Sequence, residues 1–273
     1  MLYLTSNLFK RLFHLVLIIF LFFPPDLFAE SYFSKEETVL LSNAAGFAAI
    51  TGWGILNWGY FQNDPKKAHE GWFSEATKKG GADKLGHFYF SYALSHLFSF
   101  LYETRGYTND QGALWGSLSA LGISTWMEIG DSFSDYGFSY EDAVMNLLGS
   151  LTGYLLSTQP DLAKKIDFRI EYLPDFKKMD VSTDYENQKF LMALKLDGFD
   201  FSKNGVLKYF ELHLGYYTRG YSENRSRERN IYLGFGLNMS RIFNRLSLPG
   251  VSKAVHYIQV PYTYIEANRK LTP

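Results

Sequence analysis

The chain of 273 residues contains no cysteine. That excludes disulfides, thiolate metal sites, a cysteine nucleophile and a lipid-modified N-terminal cysteine. Charge of either sign is in short excess: 27 Lys and Arg stand against 28 Asp and Glu, a formal net charge of −1. No basic surface recommends nucleic acid as a partner, and no acidic arm is present. The serine nucleophile elbow, the phosphate-binding loop, the dinucleotide fingerprint and the zinc-protease helix motif are all missing. No internal repeat is visible. What the chain has in abundance is aromatic residues, 18% of the total, which suit strands and water–membrane interfaces.

The N-terminus has three parts. Lys10 and Arg11 precede an apolar run from Leu12 to Phe23, Pro24-Pro25 breaks it, and Leu27-Phe28-Ala29 stands before Glu30. The run is shorter than the ~20 residues a membrane span needs. Its flanks are those of a secretory signal peptide over residues 1–29, with Ala29 at the cleavage site and an uncleaved anchor as the alternative. The mature chain is therefore expected in the cell envelope, in the periplasm or associated with the outer membrane, with the inner membrane as the other location.

Two halves of different period follow, which predicts an α+β fold: an N-terminal four-helix apolar bundle within residues 30–160, then an antiparallel β-meander within residues 161–273. The helices are expected over Val39 to Tyr60, Asp83 to Tyr102, Gln111 to Asp131 and Tyr140 to Ser157, separated by polar or glycine-rich stretches such as Asn63-Asp64-Pro65 and Gly80-Gly81. Past Pro160 the apolar period becomes two. Strands are expected at Ile166–Tyr172, Phe190–Leu196, Val206–Tyr216, Asn230–Ile242 and Val255–Tyr264. The first helix is uncharged from Val39 to Tyr60 and edged by Trp53, Trp58 and Tyr60, which predicts membrane association. Small residues recur every fourth position, as in Ser91, Ser95 and Ser99 or Gly112, Gly116, Ala120 and Ser124. Such stripes let backbones approach closely, in membrane helices above all and also in soluble bundles.

Three polar pairs interrupt this apolar half: Asp83 with His87, Glu128 with Asp131, and Asp142 with Asn146. Spacings of three and four put each pair on one helix face. Short loops make successive helices antiparallel, so the three pairs meet at one end of the bundle, with Lys84 beside them. Local roles compete. Asp83 can be an N-cap, Asp142 can complete a capping box begun by Ser139, and Asn146 can join helices. Glu128 and Asp131 resist such roles, because two carboxylates in a last turn face the negative end of the helix dipole. Lys84, a protonated His87 or a divalent cation must compensate them. His87, Glu128, Asp131 and Asp142 are the candidate metal ligands, an oxygen-rich set that suits Mg, Mn or Zn. His14, His69, His96, His213 and His256 show no ligand spacing.

The run Asp83-Lys84-Leu85-Gly86-His87, Gly116, Glu128-Ile129-Gly130-Asp131, Tyr136-Gly137-Phe138-Ser139, Asp142, Asn146 and Gly149 resembles the YfiM-like family of predicted periplasmic lipoproteins and longer exported proteins, a domain of unknown function. The likeness covers roughly Gly80 to Gln159, and the segments Asp184–Gln188 and Tyr209–Tyr221 look like those of the longer members. The chain departs from the lipoprotein members in having no Cys, so lipid anchoring is not implied. Asp83, Lys84, His87, Glu128, Asp142, Asn146 and Gly149 are also similar, more weakly, to VanZ-like membrane proteins. Both resemblances imply an envelope location and give weight to the polar cluster, and neither implies a mechanism.

Two function classes remain. The first is a non-catalytic, membrane-associated module that binds or organises a membrane lipid, a glycan or a protein of the envelope. The alternative is a metal- or carboxylate-dependent enzyme acting on an envelope amphiphile. Its candidate catalytic residues are Asp83, Lys84, His87, Glu128, Asp131, Asp142 and Asn146. The feature that separates the classes is whether the cluster opens to a cleft or is sealed.

Overall fold

A computed structural model of the chain describes residues 33–174, 182–222 and 226–271. The expected signal peptide lies outside the described residues. Four long helices come first: α1 (Lys35–Asn57), α2 (Ala82–Thr104), α3 (Asn109–Ser132) and α4 (Tyr140–Thr158). Their starts are written locally. Ser34 and Glu37 form a capping box on α1, and Thr108 and Gln111 form another on α3. Ser139 caps α4 by accepting the Asp142 N–H at 3.2 Å. The cap of α2 is Gly81, in a left-handed conformation with φ 86° where a Cβ would strike Phe73. Asp83 is therefore not the N-cap, and its carboxylate is left for other partners.

α2, α3 and α4 pack against one another, whereas α1 lies beside α3 and barely meets α2. The expected four-helix bundle is thus three packed helices with a lateral fourth. Small residues make this packing tight. A Cβ on Gly116 would stand 2.4 Å from the Ser99 N, and one on Gly149 would stand 2.1 Å from the Phe88 O. The side of α1 that meets the others is tied by polar contacts. Asn43 Nδ2 donates to Tyr102 OH (3.0 Å) and Ser119 Oγ (2.9 Å), and Trp126 Nε1 donates to Thr51 Oγ1 (2.8 Å).

The helical half holds an apolar cluster of Phe98, Tyr102 and Ile123, yet much of its inside is small or polar and much of its outside is apolar. α3 buries Gly112, Gly116, Ser117 and Ser124 and exposes Leu114, Trp115, Leu118 and Ile129. α4 buries Asn146, Gly149, Ser150 and Gly153 and exposes Leu147, Leu148, Leu151 and Leu155. Among the described residues, α1 alone is long and apolar enough to cross a membrane, and few of its side chains are buried.

Two-residue segments β1 (Lys67–Ala68) and β2 (Phe138–Ser139) pair in parallel and join the loop before α2 to the loop before α4. After α5 (Pro160–Ala163) come β3 (Ile166–Tyr172), β4 (Gln188–Lys195), β5 (Phe210–Arg219) and β6 (Glu228–Leu237). Then follow α6 (Met239–Arg245), α7 (Pro249–Ala254) and β7 (Tyr264–Leu271). The five long strands form one antiparallel sheet in chain order. Three expectations are corrected. The strand expected over Val206–Tyr216 begins only at Phe210, because Val206–Tyr209 forms a 3-10 turn. The strand expected over Asn230–Ile242 ends at Leu237, because Asn238 accepts the Arg241 N–H at 3.1 Å and starts α6. The strand expected over Val255–Tyr264 is replaced by a turn that follows α7, a bridge from Ile258 to Ile170 and a loop; the last strand begins only at Tyr264, where the expected one ends.

That bridge shows that the sheet curls. Residue 258 sits outside β3, and Tyr264 already pairs outside β6. The six steps from Ile258 to Tyr264 reach at most ~22 Å even when fully extended, while five strand spacings in a flat sheet need ~24 Å. The concave face is polar. Arg169 donates to both oxygens of Glu211 (2.6 and 3.0 Å), to Asp167 (2.7 Å) and to Gln259 (3.0 Å), and Lys195 donates to Asp167 (2.6 Å). The convex face carries Leu212, Leu214, Leu233, Phe235 and Leu237, all exposed.

Candidate functional site

The start of α2, the end of α3 and the start of α4 come to one end of the helical half, and the polar pairs meet there. Lys84, on α2, is fully buried. Its Nζ touches Glu70 Oε2 at 2.5 Å, Asp142 Oδ1 at 2.8 Å and Asp83 Oδ2 at 3.0 Å. His87, one turn later, places Nδ1 3.2 Å from Glu128 Oε1 and Nε2 3.8 Å from Asp142 Oδ1. Asn146 Nδ2 donates to the same Glu128 oxygen at 3.1 Å, and its Oδ1 accepts from Ser91 Oγ at 3.0 Å. Ser91 also lies 2.7 Å from Ser124 Oγ, so one polar chain links all three packed helices. Asp131 faces the same space without an ion pair; it is tied to the Tyr60 hydroxyl. All seven residues singled out in the sequence are thus in one neighbourhood.

Four further groups belong to the cluster and carry no helical spacing that would reveal them. Glu70 arrives from the loop held by the β1–β2 ladder. Tyr60 follows α1 and donates to the Met127 carbonyl at 2.9 Å. Glu141 is buried and accepts the Gly71 N–H at 3.0 Å, fixing the loop that delivers Glu70. Tyr185, from the turn before β4, roofs Gly86. The sheet also steadies that loop, since Tyr216 OH donates to Gly80 O and Arg229 donates to Phe73 O.

Electrostatics divides the acids. Burial, reinforced by the charge of Glu128, pushes the Asp131 carboxyl up to about 8. At neutral pH it is a proton carrier, able to donate to the Tyr60 oxygen while Tyr60 donates to Met127. Burial also raises Asp142, to about 6, against the pull of His87 and Lys84. Burial disfavours the imidazolium of His87, but Asp142 and Glu128 outweigh it and raise His87 to about 10. Glu141 is occupied by the Gly71 N–H and the Ser139 hydroxyl; around Lys84 and His87 stand four carboxylates (Glu70, Asp83, Glu128, Asp142), two more acids than bases even with Asp131 protonated. The polar network of the sheet is different: Asp167 and Glu211 are matched by Arg169 and Lys195, two against two. His256 Nδ1 adds a contact to Asp167 at 2.9 Å, and Asp167, Lys195 and His256 face the same cavity as the helical cluster.

Asp83 Oδ1, His87 Nδ1 and Asp142 Oδ1 are buried without an aligned hydrogen bond. One ligand atom from each of His87, Glu128 and Asp142 fits within 4.8 Å of the others, as does one from each of Glu70, Asp83 and Asp142. The second trio already surrounds the Lys84 ammonium, so the first is the candidate cation position; Asp131 belongs to neither. The cluster is open. Asp83, His87, Glu128, Asp131 and Asp142 line a cavity of about 1960 Å³ whose wall continues along α2 through Phe90, Ala93, Leu94 and Leu97 to Phe100 and across to α1 at Ile50 and Trp53.

No curated protein and no solved structure matches the chain, and the comparisons do not show the VanZ-like similarity. Residues 69–158, which carry Glu70 and every helix-borne member of the cluster, match the family described as a predicted periplasmic lipoprotein (DUF2279), and that match agrees with an exported protein of the cell envelope.

Proposed function

We propose that the protein is a membrane-associated module that holds an envelope amphiphile, with the apolar part along α2 and a polar group at the His87–Glu128–Asp142 cluster. One observation carries this: the charged cluster and the apolar wall of α2 line the same cavity. From His87 to Phe100 the helix rises ~20 Å, a length suited to an acyl chain. A sealed network would have favoured a purely structural role. The inverted faces support a seat in lipid, because leucines on the outside of α3, α4 and the sheet gain nothing from water.

A second reading is favoured by the two uncompensated negative charges. A divalent cation on Glu128, Asp142 and a deprotonated His87 would take the place of the imidazolium and lower that excess to one, and it would polarise an ester or phosphate group of the bound amphiphile. In that reading Asp131, protonated at neutral pH, is the proton donor beside the reacting group.

Lipid extracted from the purified, folded protein tests the first reading by mass spectrometry. Wild type and Lys203→Ala should carry about one amphiphile per chain, and Ala93→Trp, which fills the cavity wall, should carry several-fold less. Equal loading of all three, or none in wild type, rejects it. Metal content and chelator-sensitive stability test the second, with Glu128→Gln and His87→Ala as variants; no bound metal and no chelator effect reject it.

A further inference from the structure

A second pocket of about 340 Å³ lies at the edge of the sheet, between the turn before β5 and α6, and is lined by Lys208, Tyr209, Arg241, Asn244 and Arg245. Three of the five are cations, and none is an acid. Their arrangement is built around one ring. Arg245 donates to Tyr209 OH, and the charges of Lys208 and Arg245 lie 5.5 and 5.8 Å from the Tyr209 ring centre. Asn244 adds an amide. Arg241 Nη1 has an ion pair with Asp197 at 3.7 Å, and Asp197 does not line this pocket. Three cations held together repel one another, and an anion with several acceptor oxygens relieves that repulsion.

The side chains beside the pocket say which anion. Val206 and Leu207 precede Lys208, and Leu246 and Leu248 follow Arg245; all four are exposed. A site for a free anion gains nothing from such neighbours, whereas a headgroup at a membrane surface brings both a charge and an apolar layer beneath it. We infer that Lys208, Arg241, Asn244 and Arg245 form a site for the phosphate of an anionic membrane lipid, with Val206, Leu207, Leu246 and Leu248 dipping into the acyl layer. Arg241 and Asn244 also border the large cavity, so a membrane docked here meets the cavity at its rim. The site is independent of the acid cluster and stands whatever the cavity holds.

The full protein in neutral detergent is titrated with micelles doped with dioleoylphosphatidylglycerol or dioleoylphosphatidylcholine, and separately with inorganic phosphate. Expected are a rise in thermal midpoint with the anionic lipid only, and a binding constant weakened tenfold or more in Arg241→Gln/Arg245→Gln. A Lys203→Ala control should bind as wild type does. Circular dichroism checks that the double variant is folded; if it is not, Lys208→Gln takes its place, with a several-fold loss expected. Equal response to the two lipids overturns the inference, as does unaltered binding by the folded variant. A response to inorganic phosphate matching that to the lipid overturns it in favour of a free-anion site.

Discussion

Asp142 Oδ1 stands between two cations, 2.8 Å from Lys84 Nζ and 3.8 Å from His87 Nε2. One carboxylate thus belongs to two groups of possible ligands. What separates those groups is the Lys84 ammonium, which fills the space shared by Glu70, Asp83 and Asp142. The cation count of the site is set by that one side chain.

Removing it should have two effects. In Lys84→Ala, three buried carboxylates lose their common partner, and stability should fall by about 3–5 kcal/mol. The vacated trio of oxygens should then take a hard divalent cation. Millimolar Mg²⁺ or Ca²⁺ should raise the thermal midpoint of the variant more than that of wild type, each measured against a chelated sample. A variant as stable as wild type, or one indifferent to these ions, contradicts the role given to Lys84.

Backbone contact between helices gives a paired prediction. A methyl at Gly149 meets the carbonyl of Phe88 at 2.1 Å, and neither backbone can yield without separating α2 from α4. Gly149→Ala should therefore cost about 2 kcal/mol or more. Gly52, inside α1, has nothing within 4 Å of a built Cβ, so Gly52→Ala should stabilise by about 0.5–1 kcal/mol through helix propensity alone. Denaturation midpoints of the two variants should move in opposite directions.

The sheet network should give the protein an acid-labile component. Burial opposes ionisation of Asp167, but the hydrogen bond from His256 and the charges of Arg169 and Lys195 outweigh it and hold the carboxyl well below its ordinary range. A carboxyl depressed in the folded state stabilises fully above the unfolded value of ~3.9 and loses that contribution progressively as pH falls from there through the lower folded value. At pH 7, Asp167→Asn leaves Lys195 and Arg169 short of a partner and should cost about 3–5 kcal/mol. Below about pH 4 the gap from wild type should begin to narrow, by about 1 kcal/mol at pH 3.5, as the carboxyl takes up its proton in the unfolded chain while the folded one stays ionised. Urea unfolding of both proteins at pH 7 and pH 3.5 measures this, and a gap of constant size would contradict it.

Much of this was legible in the sequence because it depends on local spacing. Asp83 with His87, Glu128 with Asp131 and Asp142 with Asn146 share helix faces by arithmetic, and antiparallel order brings them together. The four helices lie within a few residues of their expected bounds, and Ile166–Tyr172 is a strand as expected. Glu70, Tyr60 and Tyr185 were not legible, because loops carry them and only a two-residue ladder and contacts with the sheet bring them in. The alternation of Leu212 and Leu214 with Glu211 and His213 gave a strand and its period. It does not say which face is inside, and here the charged one is. Asn238 outweighed apolar alternation in the strand expected over Asn230–Ile242, because a cap acts on the backbone directly.

The inverted wall of α3 and α4 bears on how the chain reaches its fold. Water drives most domains together by hiding their leucines, but here many leucines of α3 and α4 end outside while serines and glycines fill much of the helix seams. On the proposed membrane-associated reading, those outer faces would be sticky in an aqueous compartment before they reach lipid. A newly exported chain would then call on a holding factor or on prompt delivery to a bilayer. Its biogenesis, more than its finished stability, is where loss of a chaperone should be felt first.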